Sequence, residues 1–110
     1  MPMETFREAV LRLVTIVPKG KVVSYGQVAA AAGQPRAPRQ VGAVLRSMSG
    51  EESQRVPWWR VINSQGYISI KGNWTATKEV QRELLLREGV AVSPELKIDL
   101  QTFGFSFKTF

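Results

Sequence analysis

The sequence predicts a mainly α-helical fold with a small β-hairpin, and three observations lead to that prediction. Apolar residues recur every three or four positions near both ends of the chain and in its middle, which is the periodicity of amphipathic helices. The stretch 61–70 contains Ser64-Gln65-Gly66, a tight-turn sequence between two arms of extended character. A length of 110 residues with 44% apolar composition fits one domain, residues 1–110, around one core.

The first two predicted helices have clear ends. An apolar stripe predicts a first helix that runs to about Val17, where the proline that follows stops it. After a turn and a short extended segment, Ser24-Tyr25-Gly26-Gln27 has the Ser-x-x-Gln form of a capping box. The second helix should therefore begin at Tyr25 and continue to Gly33, a residue that suits a left-handed C-terminal cap.

A third helix is predicted to begin at Pro38, because the fixed φ of proline suits a first helical turn. Arg39 and Arg46 lie seven residues apart on its polar side. The apolar stripe of this helix comprises Val41, Val44, Leu45 and Met48. A short helix, a glycine turn and a second helix with a basic outer face are typical of a helix-turn-helix, with an ordinary αα-hairpin as the alternative. The two arginines favour DNA binding.

The rest of the chain predicts a loop at 49–55, a last helix and an aromatic tail. Thr75 or Thr77 can cap that helix, which should end at Gly89. A short strand is expected at 97–100, at the start of the tail 97–110. The tail contains Phe103, Phe105, Phe107 and Phe110. This alternation predicts an extended segment that packs on one face, with a structural role.

Composition excludes several classes of function. The chain contains no cysteine and no histidine, so thiolate nucleophiles, imidazole bases, disulfides and the usual metal sites are excluded, and no cofactor is expected. The net charge is +6, and between Ala9 and Lys78 the only acids are Glu51 and Glu52. That pattern indicates either a nucleic-acid partner or a basic surface without one. With no leader or membrane-spanning pattern, a cytoplasmic protein is expected.

Four segments in unbroken order are specific enough to indicate a family. They are PKGKVVSYGQVA, PRQVGAVLRS, PWWRVINSQGYIS and LLLREGV. From about residue 6 to 90 the chain resembles the DNA-binding domain of O6-alkylguanine-DNA alkyltransferases, and most closely the alkyltransferase-like proteins. The resemblance implies a winged helix-turn-helix-like domain, as in the C-terminal domain of the alkyltransferases.

The resemblance also implies that the reaction centre is disabled. The alkyltransferases carry Pro-Cys-His-Arg, in which the cysteine accepts an alkyl group from guanine after activation through the histidine. Trp58 stands at the cysteine position and Trp59 at the histidine position. An indole nitrogen donates a hydrogen bond but is no nucleophile, so we expect no enzymatic activity. Glu88 matches the acidic end of the family's relay and is expected to have nothing left to relay to, and Met48 replaces a hinge asparagine.

Residue roles follow position by position from the same resemblance. Tyr25 and Arg39 match the residues that flip the target nucleotide and fill the vacated space, although packing and a phosphate contact are their alternative roles. Expected DNA-binding residues are Gln27, Arg36, Arg39, Gln40, Gly42, Arg46 and Ser64. Expected lesion-pocket residues are Tyr25, Trp58, Trp59, Arg60, Val61, Ser69 and Gly72. For Arg60, a structural anchor and a contact to the modified guanine remain equal alternatives.

The expected function is therefore recognition of O6-alkylguanine in double-stranded DNA without alkyl transfer. Docking through the minor groove, nucleotide flipping and hand-over to nucleotide excision repair proteins are implied by the resemblance. The protein should act as a monomer without membrane contact, at the bacterial nucleoid or, in a eukaryote, in the nucleus. One alternative is a winged-helix transcriptional regulator without lesion preference. Another is an enzyme that uses a lysine, serine or aspartate nucleophile.

Overall fold

The computed structural model describes residues 3–69 and 77–107, and in that part of the chain helices dominate. The helices and strands, in chain order, are α1 (Phe6–Ile16), β1 (Val23–Ser24), α2 (Tyr25–Ala31), α3 (Pro38–Arg46), α4 (Gly50–Arg55), a 3₁₀ turn (Trp58–Arg60), β2 (Val61–Ile62), α5 (Lys78–Arg87) and α6 (Leu100–Phe103). The prediction of a mainly helical fold with a small amount of β-structure is confirmed. Within these ranges no helix is long and apolar enough to cross a membrane.

The predicted helix-turn-helix is present, and its local signals work as expected. Ser24 Oγ accepts from the backbone N–H of Gln27 at 3.0 Å, and Gln27 Oε1 accepts from the N–H of Ser24 at 2.9 Å, so the capping box is complete. Gly33 follows α2 at a φ of +84°, the left-handed conformation predicted for it. Pro38 occupies the first turn of α3, and the apolar stripe of α3 turns Val41 and Leu45 into the core. Helices α1, α2 and α3 pack against one another.

The β-structure differs from the predicted hairpin. β2 pairs in parallel with β1, with Val61 opposite Val23 and Ile62 opposite Ser24. The predicted turn exists, since the N–H of Gly66 donates to the carbonyl of Asn63 at 3.1 Å and a Cβ on Gly66 would lie 2.7 Å from the carbonyl oxygen of Ile98. Tyr67 closes the turn, since its carbonyl accepts from the N–H of Asn63 at 3.0 Å, but its β-bridge is to Lys97 and no strand follows to pair with β2 in the described residues. The fully buried Val61 and Ile62 explain the outcome, because both faces of this strand must be covered.

Two further expectations for the C-terminal half are corrected. The predicted loop at 49–55 is helix α4, whose Ser49 and Glu52 form a capping box. The predicted strand at 97–100 is reduced to the bridge at Lys97, because Asp99 caps the short helix α6 at the N–H of Gln101. The phenylalanine tail is thus part helix and part extended segment. Phe110 lies outside the described residues.

The core consists of two clusters of buried apolar side chains. The first contains α1, α2 and α3 residues together with Trp58 and Val61, and the second contains Val22, Ile62, Ile68, Leu85, Val90 and Ile98. Trp59 packs against both clusters. The sheet lies between the two clusters: Val23 and Val61 belong to the first cluster, and their neighbours Val22 and Ile62 belong to the second. The PWWR motif therefore occupies the junction of the two halves of the core.

Candidate nucleic-acid interface

A surface groove of about 510 Å³ lies where α2 and α3 meet the segment that follows the turn at 64–66. Its described lining residues are Tyr25, Pro38, Arg39, Gly42, Arg46 and Ser69. Five of these six were singled out from the sequence as base-flipping, DNA-binding or pocket residues, and Pro38 was not. The N-terminal position of Pro38 in α3, next to Arg39, is the signal that could have identified it.

Tyr25 forms the inner wall of the groove, because it is the first residue of α2 and faces α3. A Cβ on Gly42 would lie 3.8 Å from Cε1 of Tyr25 and 3.3 Å from Nη1 of Arg46. The missing side chain of Gly42 thus leaves space that the tips of two groove residues use. Burial raises the pKa of the Tyr25 hydroxyl, and the nearby positive charge of Arg46 partly opposes that shift. The hydroxyl therefore remains a neutral donor and acceptor at physiological pH.

The outer face of the helix-turn-helix is basic and unpaired within the described part of the chain. Arg36, Arg39, Gln40 and Arg46 are all exposed, and none of the three arginines takes part in a described ion pair. Ser64 is exposed at the turn that follows β2. Exposed guanidinium groups without acidic partners suit phosphate contacts, because no internal bond must be broken to make them.

Gln27, an expected DNA contact, makes hydrogen bonds inside the protein. Its Oε1 is engaged by Ser24 in the capping box, and its Nε2 donates to the carbonyl of Phe105 at 2.8 Å. The side chain therefore holds the start of α2 to the aromatic tail, and the N–H of Phe105 in turn donates to the carbonyl of Val22 at 2.8 Å. Its half-buried position and two internal hydrogen bonds give it a structural role.

Trp58 lies in the core and Trp59 packs half-buried against it, and neither indole is in the described lining of the groove. Trp58 is 8% exposed, and its ring meets the Trp59 ring edge-on with centroids 5.9 Å apart. Val61, expected in the pocket, is fully buried in β2. We expected a pocket lined by both indoles and Val61, and the described structure differs. Apolar rings at the junction of two clusters are stabilised more by burial than by exposure. Gly72 lies outside the described residues.

Glu88, expected as a relay remnant with nothing left to relay to, accepts hydrogen bonds from three residues. The indole N–H of Trp59 donates to its Oε2 at 2.8 Å, and the backbone N–H of Gly20 donates to its Oε1 at 3.1 Å. Arg60 donates to the same carboxylate through Nε and Nη2, the latter at 2.7 Å. The third group of Arg60, Nη1, donates to the carbonyl of Val17 at 2.7 Å. We call Glu88, Trp59, Arg60 and Gly20 the glutamate node.

The contacts of Arg60 in the node support a structural anchor, one of the two roles left open for it. Its side chain is 14% exposed and that of Glu88 is 8% exposed, so the ion pair lies largely out of water. Burial alone would raise the pKa of Glu88, but the hydrogen bonds from Arg60, Gly20 and Trp59 outweigh it and hold that pKa below its ordinary value. The carboxylate is therefore ionised, and its lone pairs face donors inside the protein.

The structure identifies two residues that the sequence interpretation missed, Gly20 in the node and Gln81 beside it. Gly20 adopts a φ of +85°, which aims its N–H at Glu88, and the turn Pro18-Lys19-Gly20-Lys21 was its only sequence signal. Gln81 is fully buried and its Nε2 donates to the carbonyls of Trp59 and Val61 at 3.0 and 2.9 Å. A glutamine on the inner face of α5 carries no sequence signal for this contact. No described group of acidic, histidine or cysteine side chains could hold a metal ion.

Comparison with known proteins identifies the family of this chain. The family model of the 6-O-methylguanine DNA methyltransferase DNA-binding domain matches residues 5–90. The chain belongs to this family. It has no cysteine, so the residue that gives the methyltransferases their activity is absent from this family member, as the substitution at Trp58 indicates. It is an alkyltransferase-like member that lacks the cysteine.

The most informative relatives are of the same kind. A DNA base-flipping protein of Escherichia coli is 42% identical over 104 residues, covering 94% of this chain and 77% of that protein. Alkyltransferase-like protein 1 of Schizosaccharomyces pombe is 40% identical over 92 residues, covering 84% of this chain and 82% of that protein. The crystal structure of S. pombe Atl1 in complex with damaged DNA containing O6-carboxymethylguanine is similar, with a TM-score of 0.83 at 36% identity, over 96% of this chain and 99% of the other.

Proposed function

We propose that this protein recognises O6-alkylguanine in duplex DNA, flips the modified nucleotide into the groove and holds it without removing the alkyl group. The observation that carries the proposal is the groove itself, which brings Tyr25 of α2 and Arg39 of α3 to one place on an unpaired basic face. The similarity to a DNA base-flipping protein and to a structure of Atl1 with damaged DNA supports the same function.

The groove supplies the chemistry that flipping needs. Tyr25 sits at the start of a helix, where it can crowd the phosphate of the target nucleotide and then stack against the extruded base. Arg39 carries a planar cation that can fill the vacated space and pair with the orphaned partner base. Because a minor-groove reader distinguishes base pairs poorly, the lesion and not the sequence would determine where the protein stays.

Retention of an unrepaired lesion implies a later step. We propose that the bound complex is handed to nucleotide excision repair, since neither PWWR indole provides a nucleophile for the alkyl group. The protein would then act at the nucleoid, or in the nucleus of a eukaryote, as a single domain and a monomer. Excision by a reconstituted incision system should be faster on an O6-methylguanine duplex with the protein than without it. Equal rates would contradict the hand-over while leaving recognition intact.

Recognition itself is tested with matched duplexes that contain guanine or O6-methylguanine at one position. We expect tighter binding to the modified duplex, together with full recovery of O6-methylguanine after incubation. A second pair of duplexes with unrelated flanking sequence should give the same preference. Equal affinity for guanine and O6-methylguanine, a symmetric footprint on one preferred sequence, or loss of the methyl group would each disprove the proposal.

The roles of the two groove residues are tested separately. Arg39→Lys keeps the charge but loses the planar fork, so lesion preference should fall while nonspecific binding is maintained. Tyr25→Phe keeps the ring and Tyr25→Ala removes it, so the second should reduce preference more than the first. Arg36→Ala is the matched control, because Arg36 is exposed on the same face but does not line the groove. Its loss should weaken binding to both duplexes alike.

A further inference from the structure

We propose that Trp59 is a positioning residue: through Glu88 it fixes the two-stranded sheet that carries Tyr25 to the groove, and it does not itself contact the lesion. The inference rests on the proposed function for its effect on binding. The substitution of the family's histidine by tryptophan then has a second consequence besides loss of the base. It keeps a ring N–H directed at Glu88.

The position of Glu88 makes this role possible, because one carboxylate holds the beginning of both strands. Gly20, three residues before β1, donates its backbone N–H to Oε1. Trp59 and Arg60, immediately before β2, donate through their side chains to Oε2 and to both oxygens respectively. Parallel strands have no hairpin turn to fix their register, so a shared anchor at their starting ends can do so.

Trp59 is held on several sides, which leaves its ring little freedom. Its N–H is committed to Glu88, and the edge of the neighbouring Trp58 ring meets it at a centroid distance of 5.9 Å. The guanidinium carbon of Arg60 lies 5.5 Å from the centre of the Trp59 ring. The ring also packs against both core clusters. A side chain with these contacts transmits the position of Glu88 to the 3₁₀ turn.

A second contact from α5 holds the same turn by its backbone. Gln81 lies seven residues before Glu88, on the same face of the helix, and donates to the carbonyls of Trp59 and Val61. Its own Oε1 is buried without a partner in the described structure, a cost that a purely apolar side chain would avoid. Helix α5 thus holds the turn at two points, one through the backbone and one through the side chain of Trp59.

The path from the node to the groove is short and contiguous. The turn leads directly into β2, whose Ile62 pairs with Ser24 of β1. Ser24 is the N-cap of α2, and the next residue is Tyr25. Any shift of β2 against β1 therefore moves the N-cap of α2 and the ring that forms the inner wall of the groove.

The test compares Trp59→His with Trp59→Phe, since each retains a different property. Histidine keeps a ring N–H that can reach Glu88 but fills less space, whereas phenylalanine keeps an apolar ring and loses the donor. Positioning through Glu88 predicts that Trp59→Phe reduces the ratio of O6-methylguanine to guanine affinity by roughly tenfold, and that Trp59→His reduces it less. The reverse order, or two variants equal to the wild type, would overturn the inference.

A spectroscopic measurement makes the test independent of DNA binding. The indole N–H signal that Trp59→Phe removes should be protected from hydrogen exchange in the wild type. The ring signals of Tyr25, assigned with Tyr67→Phe, should shift in Trp59→Phe.

Glu88→Gln should reduce the indole protection, whereas Glu83→Gln, the same change at an exposed position of α5, should not. A rapidly exchanging indole, or Tyr25 signals that do not move, would disprove positioning even if lesion preference is found. If the wild type shows no lesion preference, the proposed function fails, and the two NMR readouts alone decide the positioning role.

Discussion

The surface around the groove, which we call the groove face, and the glutamate node use arginine for opposite purposes. On the groove face, Arg39 and Arg46 are exposed and make no described ion pair. In the node, Arg60 is largely buried and its guanidinium donates to Glu88 and to the carbonyl of Val17. An arginine whose three guanidinium nitrogens all donate inside the protein holds the fold together, whereas an exposed arginine without an internal partner is available for an external anion.

The comparison explains how a reaction centre can be lost while its surroundings persist. The node buries Glu88 and satisfies it with three different donors, none of which needs to release a proton. Replacement of an imidazole by an indole removes proton transfer but preserves the hydrogen bond to the carboxylate. None of the described lining residues of the groove belongs to the node, so the loss of the nucleophile and base removes no side chain from the groove.

The largest expected effect is the loss of stability when the node is broken. Glu88→Gln removes the negative charge that the largely buried Arg60 requires, and the free energy of unfolding should fall by about 3 kcal/mol. Chemical denaturation at neutral pH measures it. If the free energy of unfolding fell no further than it does for a surface substitution, the node would not stabilise the fold.

The same variant should change the pH dependence of stability. In the wild type the pKa of Glu88 is below its ordinary value of 4.5, so the node stabilises the fold above that pH. The stabilisation is lost as the pH falls through the lowered folded pKa. Unfolding measured between neutral and acidic pH should therefore show a smaller acid-induced loss in Glu88→Gln than in the wild type. Identical pH profiles would mean that another carboxylate accounts for the acid sensitivity.

A second effect concerns the groove face and should leave stability alone. Arg39→Ala should weaken binding to the O6-methylguanine duplex by about 2 kcal/mol, roughly thirtyfold, since a stacked and hydrogen-bonded guanidinium is lost. Because Arg39 is exposed and unpaired in the described structure, unfolding should change by less than about 0.5 kcal/mol. Paired titration and denaturation of one preparation measure both quantities. Loss of stability comparable to the loss of binding would break the distinction between the two regions.

A smaller effect is expected from Arg46, which was assigned to the DNA backbone but also lines the groove. If it neutralises one phosphate, Arg46→Ala should reduce the slope of log affinity against log salt by about 1 on guanine and O6-methylguanine duplexes alike. Titrations at several salt concentrations measure the slope. A change confined to the modified duplex would instead place Arg46 with Tyr25 and Arg39 in lesion recognition.

The parts predicted from sequence are those set by local signals. The capping box at Ser24, the glycine cap at Gly33 and the proline start of α3 each act within one helical turn, so the helix-turn-helix could be predicted from them. The roles of the groove residues came instead from the resemblance to the alkyltransferases. Pairing of β1 with β2 was not, because it joins residues far apart in the chain and depends on the burial of both faces of Val61 and Ile62.

The contacts of side chains with several possible partners were also beyond local signals. The resemblance assigned Gln27 to the DNA and Glu88 to a relay remnant, and it did not predict the long-range internal partner of either side chain. Gln27 reaches the tail carbonyl of Phe105 and Glu88 receives Trp59, contacts between residues separated by 78 and 29 positions. Such pairs form only once the tertiary structure has brought their segments together.

The smallest expected effect is that of Glu83→Gln, which serves as the control for Glu88→Gln. Glu83 and Arg87 form an ion pair one turn apart on α5, with side chains 58% and 71% exposed. Glu83→Gln should change the free energy of unfolding by no more than about 0.5 kcal/mol, because water solvates both partners and the pair is loosely held. The substitution is chemically the same as Glu88→Gln, and Glu88 is the C-cap of the helix that contains Glu83. Denaturation of the two variants side by side therefore isolates burial as the variable: a similar loss in both would mean that charge on α5, and not the buried node, stabilises this half of the molecule.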